Sequence, residues 1–206
     1  MGNVTSDSTF PWKKSTRFER CGAGSSECMG NPTANLNHTS TEFVMNLEVK
    51  SISIRSATAT TLVAELEVEL RQDYPPHYIH ELDVTSFEAV DGIFLVCLVE
   101  DNPIGCLALR PLDPDTAELK RMFVRRRSRG LGAARLMLRE MESRAMAKGF
   151  KQIVLETGNQ QRTAIDLYLA SGYESIPPYN KAADGPASVC FQKALGPGGE
   201  TFPVGS

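Results

Sequence analysis

The chain has 206 residues, 41% of them hydrophobic and 23% charged, enough for one well-buried core with some chain to spare. A formal net charge of −3 excludes a generally basic surface, so no nucleic-acid partner is expected. No apolar run reaches membrane-spanning length, and a cytoplasmic protein with no membrane contact is expected.

Residues 1–45 are rich in Ser, Thr, Asn and Gly and show no apolar period. Such a stretch buries too little surface to offset the entropy of ordering it, which predicts a disordered N-terminal tail. It lacks the apolar centre of a secretory signal. Met1, Gly2 and Ser6 have the form of a myristoylation site, a short pattern that often arises by chance. Cys21, Cys28 and His38 fit no common zinc spacing, so no metal is expected. Cys97, Cys106 and Cys190 sit in apolar runs and read as buried free thiols.

Regular patterning occupies residues 46–196, expected to form one domain, and residues 197–206 read as a flexible C-terminal end. Residues 47–55 alternate and predict a strand. Ala59, Leu62, Val63, Leu66 and Leu70 mark a helix face, closed by Asp73, Tyr74, Pro75 and Pro76. A short helix is expected after Asp83. The apolar run 92–100, a turn at Asp101 and Asn102, and the run 104–109 predict a hairpin. Pro111 to Asp115 form another turn, followed by a strand over 116–124. Leu131, Ala134, Leu138, Met141 and Ala145 recur at steps of three and four, which predicts a helix over 131–148 stopped by Gly149. A buried strand over 153–155, a helix over 163–171 stopped by Gly172, and a strand over 187–193 complete the pattern. The class is α/β, a mixed sheet with helices on both faces.

The join between the strand at 116–124 and the next helix carries the chemistry. Arg125, Arg126, Arg127 and Arg129 surround Gly130 and Gly132. Glycines let the backbone approach an anion, and a helix start offers free N–H groups and partial positive charge. The loop lacks the Gly-Lys-Ser/Thr ending of a nucleotide triphosphate loop. Arg135 stands where a dinucleotide loop needs its third glycine. A phosphate-bearing ligand of another kind is implied.

The pattern Arg-x-x-Gly-x-Gly, from Arg127 to Gly132, resembles the acetyl-coenzyme A loop of the GNAT N-acetyltransferase superfamily. Thirty-six positions after Gly132, Tyr168 lies in a segment from Ala164 to Tyr173 that resembles the second signature of that family, Ala-Ile-x-Leu-Tyr-x-x-x-Gly-Phe/Tyr. Residues 118–124 and 176–179 are similar to a subgroup of small stand-alone bacterial acetyltransferases. The resemblance covers about residues 48–195. It implies the GNAT acyl-CoA N-acyltransferase fold, a central, mostly antiparallel sheet splayed at strands 4 and 5. It also implies acetyl-CoA as cosubstrate, no metal, and direct transfer of acetyl to the amine of a small molecule. Relatives are often dimers, so the resemblance admits a homodimer. A non-catalytic acyl-CoA sensor on the same fold is the alternative.

Residue by residue, the resemblance makes Tyr168 the acid that protonates the leaving sulfur. The alternative for Tyr168 is simple packing under the sheet. Glu118, on a central strand where glutamate is disfavoured, is the candidate base through a water; a salt bridge to Lys120 or Arg121 is the alternative. Backbone N–H groups at Met122, Phe123 and Val124 would polarise the thioester carbonyl. Arg127, Gly130, Gly132 and Ala133 would hold the pyrophosphate, with backbone amides from Arg129 and Leu131, and Arg125 or Arg126 would reach the 3′-phosphate. Gln161 replaces the Asn that many relatives carry. Tyr74, Arg110 and Tyr179 are expected around the acceptor, where Arg110 suits the carboxylate of an amino-acid-like amine.

Overall fold

The computed structural model describes residues 46–79, 82–180 and 185–196. The expected tail and C-terminal end, with Cys21, Cys28 and His38, lie outside the described residues. Elements follow in the order β1 (Leu47–Ser51), α1 (Ala57–Asp73), α2 (Val84–Ala89), β2 (Ile93–Val99), β3 (Asn102–Pro111), β4 (Thr116–Val124), α3 (Ala133–Ala147), β5 (Gln152–Gly158), α4 (Arg162–Ala170), β6 (Glu174–Ile176) and β7 (Ser188–Ala194). Short 3-10 turns occupy Pro76–Tyr78 and Arg126–Ser128.

The helix ends follow local chemistry. The Ser56 side chain accepts the Ala59 N–H at 3.2 Å and starts α1, and Asp83 accepts the Thr85 N–H at 3.0 Å and starts α2. After β2 the chain turns through Glu100 and Asp101, both with positive φ, and Val99 pairs with Asn102. The turn therefore sits one residue earlier than expected, because both central residues of such a two-residue hairpin must be left-handed. Asn102 instead begins β3.

Seven strands form one sheet in the order β1-β2-β3-β4-β5-β7-β6. Every neighbouring pair is antiparallel except β4 and β5. That parallel seam is short. It runs from Thr116 opposite Gln152 to Leu119 opposite Leu155 and then stops. Beyond it the strands separate, leaving Lys120 to Val124 without a partner strand on the β5 side. The mixed sheet and its splay are as expected.

Two apolar clusters cover the two faces. One gathers Leu107, Leu109, Leu119, Ile153 and Leu155 beneath Met137, Leu138 and Met141 of α3, and extends to Tyr168 and Phe191. The other places Phe94, Val96, Cys106, Ala108 and Phe123 against Leu62 and Leu66 of α1 and Phe87 of α2. Fully burying such side chains stabilises the fold by roughly 1.5–3 kcal/mol each. A bulge in β4 lies between the two clusters. Ala108 pairs with Lys120 but Cys106 with Phe123, so Arg121 and Met122 together face Leu107. Arg121 takes φ 58° there. The extra residue reverses the alternation, so Leu119 points to α3 while Phe123 points to α1.

Candidate active site

The basic loop leaves β4 at Val124 and enters α3 at Ala133. Gly130 and Gly132 have φ of 82° and 86°, and a Cβ at either would meet open space. Glycine is needed for the backbone angle, and the lack of side chains keeps the surface bare. Gly132 is the N-cap of α3 and offers no capping side chain. The first intrahelical bond runs from Leu136 N–H to Gly132 O at 3.0 Å, so the N–H groups of Ala133, Ala134 and Arg135 face outward past the helix end. A groove of about 740 Å³ lies over them. Its walls are the ends of β4 (Met122, Phe123, Val124), the loop (Arg126, Ser128, Arg129) and α4.

The arginines of the loop divide between two jobs. Arg125 grips both oxygens of Glu65 at 2.7 Å and donates to Pro103 O at 2.6 Å, which fastens the loop to α1 and β3. It is committed to the fold instead of reaching out to a 3′-phosphate. Arg126 and Arg129 both pair with Glu69, and Arg129 also donates to Val124 O at 2.9 Å. Arg127, expected at the pyrophosphate, does not line this groove; it sits in the 3-10 turn and lines an adjoining depression with Glu65, Val68 and Gln72. Leu131 does not line the groove either. Arg126, expected near the 3′-phosphate, does, as do Ser128, Ala134 and Arg135, whose part in it the motif reading missed.

A second, narrower cleft of about 150 Å³ opens where β4 and β5 separate. It shares Leu66, Met122, Gln161 and Ala164 with the groove, so the two adjoin. Tyr168 lines this cleft; it is 4% exposed and stands in edge contact with the Tyr173 ring at 5.6 Å. Burial pushes its phenol well above the ordinary value, so it keeps its proton throughout the physiological range. Gln161 Nε2 donates to Asp73 at 3.0 Å, tying the start of α4 to the end of α1 at the point where cleft and groove meet.

Tyr74 also lines the cleft, and its hydroxyl accepts the Gln160 N–H at 2.8 Å. It lies so close to Gly158 that a Cβ there would come within 2.1 Å of the hydroxyl. Glycine at the end of β5 therefore makes room for Tyr74.

Glu118, Arg110 and Tyr179 meet in one cluster. Glu118 is 0% exposed. Arg110 Nε donates to Oε2 at 2.7 Å, and the Tyr179 hydroxyl (2.7 Å) and Lys120 (3.0 Å) engage Oε1. Burial pushes the carboxyl up, but Lys120, the Tyr179 hydroxyl and Arg110 together hold it below the ordinary carboxylate range. This is poor equipment for a base: both oxygens are occupied, and Glu118 lines neither opening. The salt bridge to Lys120 weighed from the sequence is realised. The carboxylate that does line the cleft is Glu156, on β5. The sequence signal for it is slight, a charged residue following the buried run of Ile153, Val154 and Leu155. Among the described residues no group of three or more His, Cys, Asp or Glu is placed to hold a metal, and no helix is long and apolar enough to cross a membrane.

A mixed sheet opened along its one parallel seam, with an anion cradle at one end of the opening and a buried phenol at the other, has the build of an acyltransferase. The chain belongs to the acetyltransferase (GNAT) family, which it matches over residues 59–173. It is 33% identical to the IAA acetyltransferase of Azospirillum brasilense over 135 residues, 65% of this chain and 88% of that one. Among solved structures it resembles a Klebsiella pneumoniae protein described as an acyl-CoA N-acyltransferase, with TM-score 0.65 and 24% identity over 72% of this chain and 97% of the other. A GNAT family acetyltransferase of Elizabethkingia anophelis, solved with acetyl-CoA bound, shares the fold with TM-score 0.56 and 18% identity over 73% of this chain and 99% of its own.

Proposed function

We propose that the protein transfers acetyl from acetyl-CoA to the amine of a small molecule by direct attack. The adjacency of groove and cleft carries this reading. One end presents bare glycines, a helix start and four arginines, Arg126, Arg129, Arg135 and Arg162; the other presents a buried phenol beside unpaired strand backbone. Those features fit acetyl-CoA, whose phosphates need donors and positive charge and whose thioester needs a dry, polarising space. When bound, it supplies the activated acetyl group.

The residues of this chain have separable tasks in that reading. Gly130, Gly132 and the amides opening α3 receive phosphate oxygens. Backbone N–H groups among Met122, Phe123 and Val124, on the part of β4 that has no rung to β5, would stabilise charge on the acetyl oxygen. Tyr168 gives its proton to the departing sulfur; burial that raises a phenol raises a thiol too, which keeps donor and acceptor matched. Glu118 is a positioning residue. It holds Arg110 by Nε; Arg110, 36% exposed, lines neither groove nor cleft, so the contact of its Nη atoms with the carboxylate of an amino-acid-like acceptor rests on the sequence reading alone. The test is release of free thiol from acetyl-CoA with a panel of amino acids, polyamines and aminoglycosides, with product identified by mass. Amine-dependent release with one acetyl added is the expected result. Tight acetyl-CoA binding without turnover on any amine would instead make the protein a sensor.

The pairing of Glu69 with Arg126 and Arg129 gives a further expectation. The carboxylate stands where an incoming phosphate would compete for the same guanidinium groups. Pairs this exposed contribute only about 0–1 kcal/mol to stability. Glu69→Gln is therefore expected to leave Tm nearly unchanged. It should tighten the Kd for coenzyme A about threefold or more at low salt, a gain that shrinks as ionic strength rises. Weaker binding on calorimetry would mean that Glu69 holds the arginines in place instead of competing for them.

A further inference from the structure

We infer that Glu156 is the group that receives the acceptor's ammonium and takes its proton, a role the sequence reading gave to Glu118. The inference rests on the acetyltransferase reading above and adds the residue that handles the amine. Glu156 is the first residue of β5 beyond the last rung with β4, Leu119 opposite Leu155. It therefore lies where the sheet opens. Strand alternation puts it on the same face as Val154, which pairs with Glu118, so it shares that face with Lys120.

Its surroundings suit the task. Glu156 lines the cleft together with Tyr168, Lys120, Thr157 and Tyr74. Ser188 on β7 donates its hydroxyl to Oε1 at 2.5 Å, which fixes the rotamer. Ser188 is its only hydrogen-bonding partner among the described residues, so Oε2 is left for a ligand. Glu118 has the opposite endowment, with Arg110 on Oε2, Lys120 and the Tyr179 hydroxyl on Oε1, and no face on the cleft. Two carboxylates of the same face are thus divided by environment, one closed into the fold and one presented to the cleft.

An alkyl ammonium has a pKa of ~10.4 and must lose a proton before its nitrogen can attack. A carboxylate in the cleft binds the ammonium by a charge-assisted hydrogen bond and accepts that first proton, which passes to solvent. The freed lone pair forms the N–C bond at the acetyl carbon. As the C–S bond breaks, the nitrogen loses a second proton to Glu156 while the sulfur takes the proton of Tyr168. The proton on Glu156 then restores the phenol through solvent. The sum is ammonium plus thioester giving amide, thiol and one released proton.

The experiment compares wild type, Glu156→Gln and Glu118→Gln in two measurements. In the first, thiol release is followed on the amine panel from pH 6 to 10. Glu156→Gln is expected to lower kcat about 100-fold or more. Its Kd for acetyl-CoA should stay within twofold of wild type, and its residual rate should climb with pH as free amine accumulates. The second needs no turnover: calorimetric titration of n-butylamine hydrochloride into the coenzyme A complex, expected to be at least tenfold weaker in Glu156→Gln. Glu156→Gln activity within threefold of wild type would overturn the inference. So would equal butylammonium binding in the two proteins, or none in wild type. Glu156-dependent binding with no wild-type turnover on any amine would sink the transferase reading and leave the ammonium site standing.

Discussion

Tyr168→Phe is expected to lower kcat by about 100-fold to 10,000-fold, the range in which a positioned proton donor acts. The substitution removes one hydroxyl from a ring that is 4% exposed and already packed against Tyr173 and Phe191, so the volume change is small. The Tm should shift by no more than a degree or two, and acetyl-CoA should bind as before, because the glycine loop and α3 are untouched. Thiol release, acetyl-CoA titration and a thermal melt on the same preparation separate these effects. An active Phe variant would mean that the departing sulfur draws its proton from water and that Tyr168 is a packing residue. Equal loss of binding and rate would instead make the hydroxyl part of the binding surface.

Glu118→Ala is expected to be the most damaging single change to the fold. It strands Arg110, Lys120 and the Tyr179 hydroxyl, which converge on one fully buried carboxylate. Breaking a buried ion pair from one side costs about 3–5 kcal/mol. The low end applies here, since the side chains of Arg110 and Lys120 are 36% and 19% exposed and can recover some water. A fall in Tm on the order of 10 °C follows for a domain of this size. A pH dependence accompanies it. The Glu118 carboxyl is held below its ordinary value, so its contribution is complete above the unfolded pKa of ~4.3. It is lost as pH falls through the folded value. Denaturant melts from pH 7 down to pH 3 should show wild type losing this increment and Glu118→Gln lacking it throughout. Equal acid sensitivity in the two would remove Glu118 from the account.

The sequence made some of this legible and concealed the rest, for identifiable reasons. Helix and strand periods placed β4 to the residue, since alternation, the turn before it and the glycine loop after it all agree. Turn chemistry misled at the hairpin because Asn102 is a better turn former than Glu100, and only strand register shows which residues are left-handed. Glycines of the loop could be read from their spacing, but the side of the loop each arginine faces could not. That depends on Glu65 and Glu69, some sixty residues earlier. Glu118 stood out as a glutamate on a central strand, and the anomaly was real. Its explanation, a closed ring with Arg110 and Tyr179, needs partners from β3 and from the connection after β6. Glu156 had no such mark, because its value comes from the seam ending at Leu155, which no local pattern records.

The same seam bears on how the protein avoids sticking to others. Unpaired strand backbone is a template for edge-to-edge association, and most sheets guard it with lysines, prolines or short outer strands. Here the unpaired stretch from Lys120 to Met122 lies in the middle of the sheet, with Leu66, Leu70 and Tyr74 of α1 and the turn after it, and Ala164 and Tyr168 of α4, around its cleft. At about 150 Å³ that cleft is too small for an incoming polypeptide strand and its side chains, yet it admits the slim end of a small molecule. Enclosure thus does the work that surface charge does elsewhere, and the protein keeps open hydrogen-bonding groups available without exposing them to aggregation.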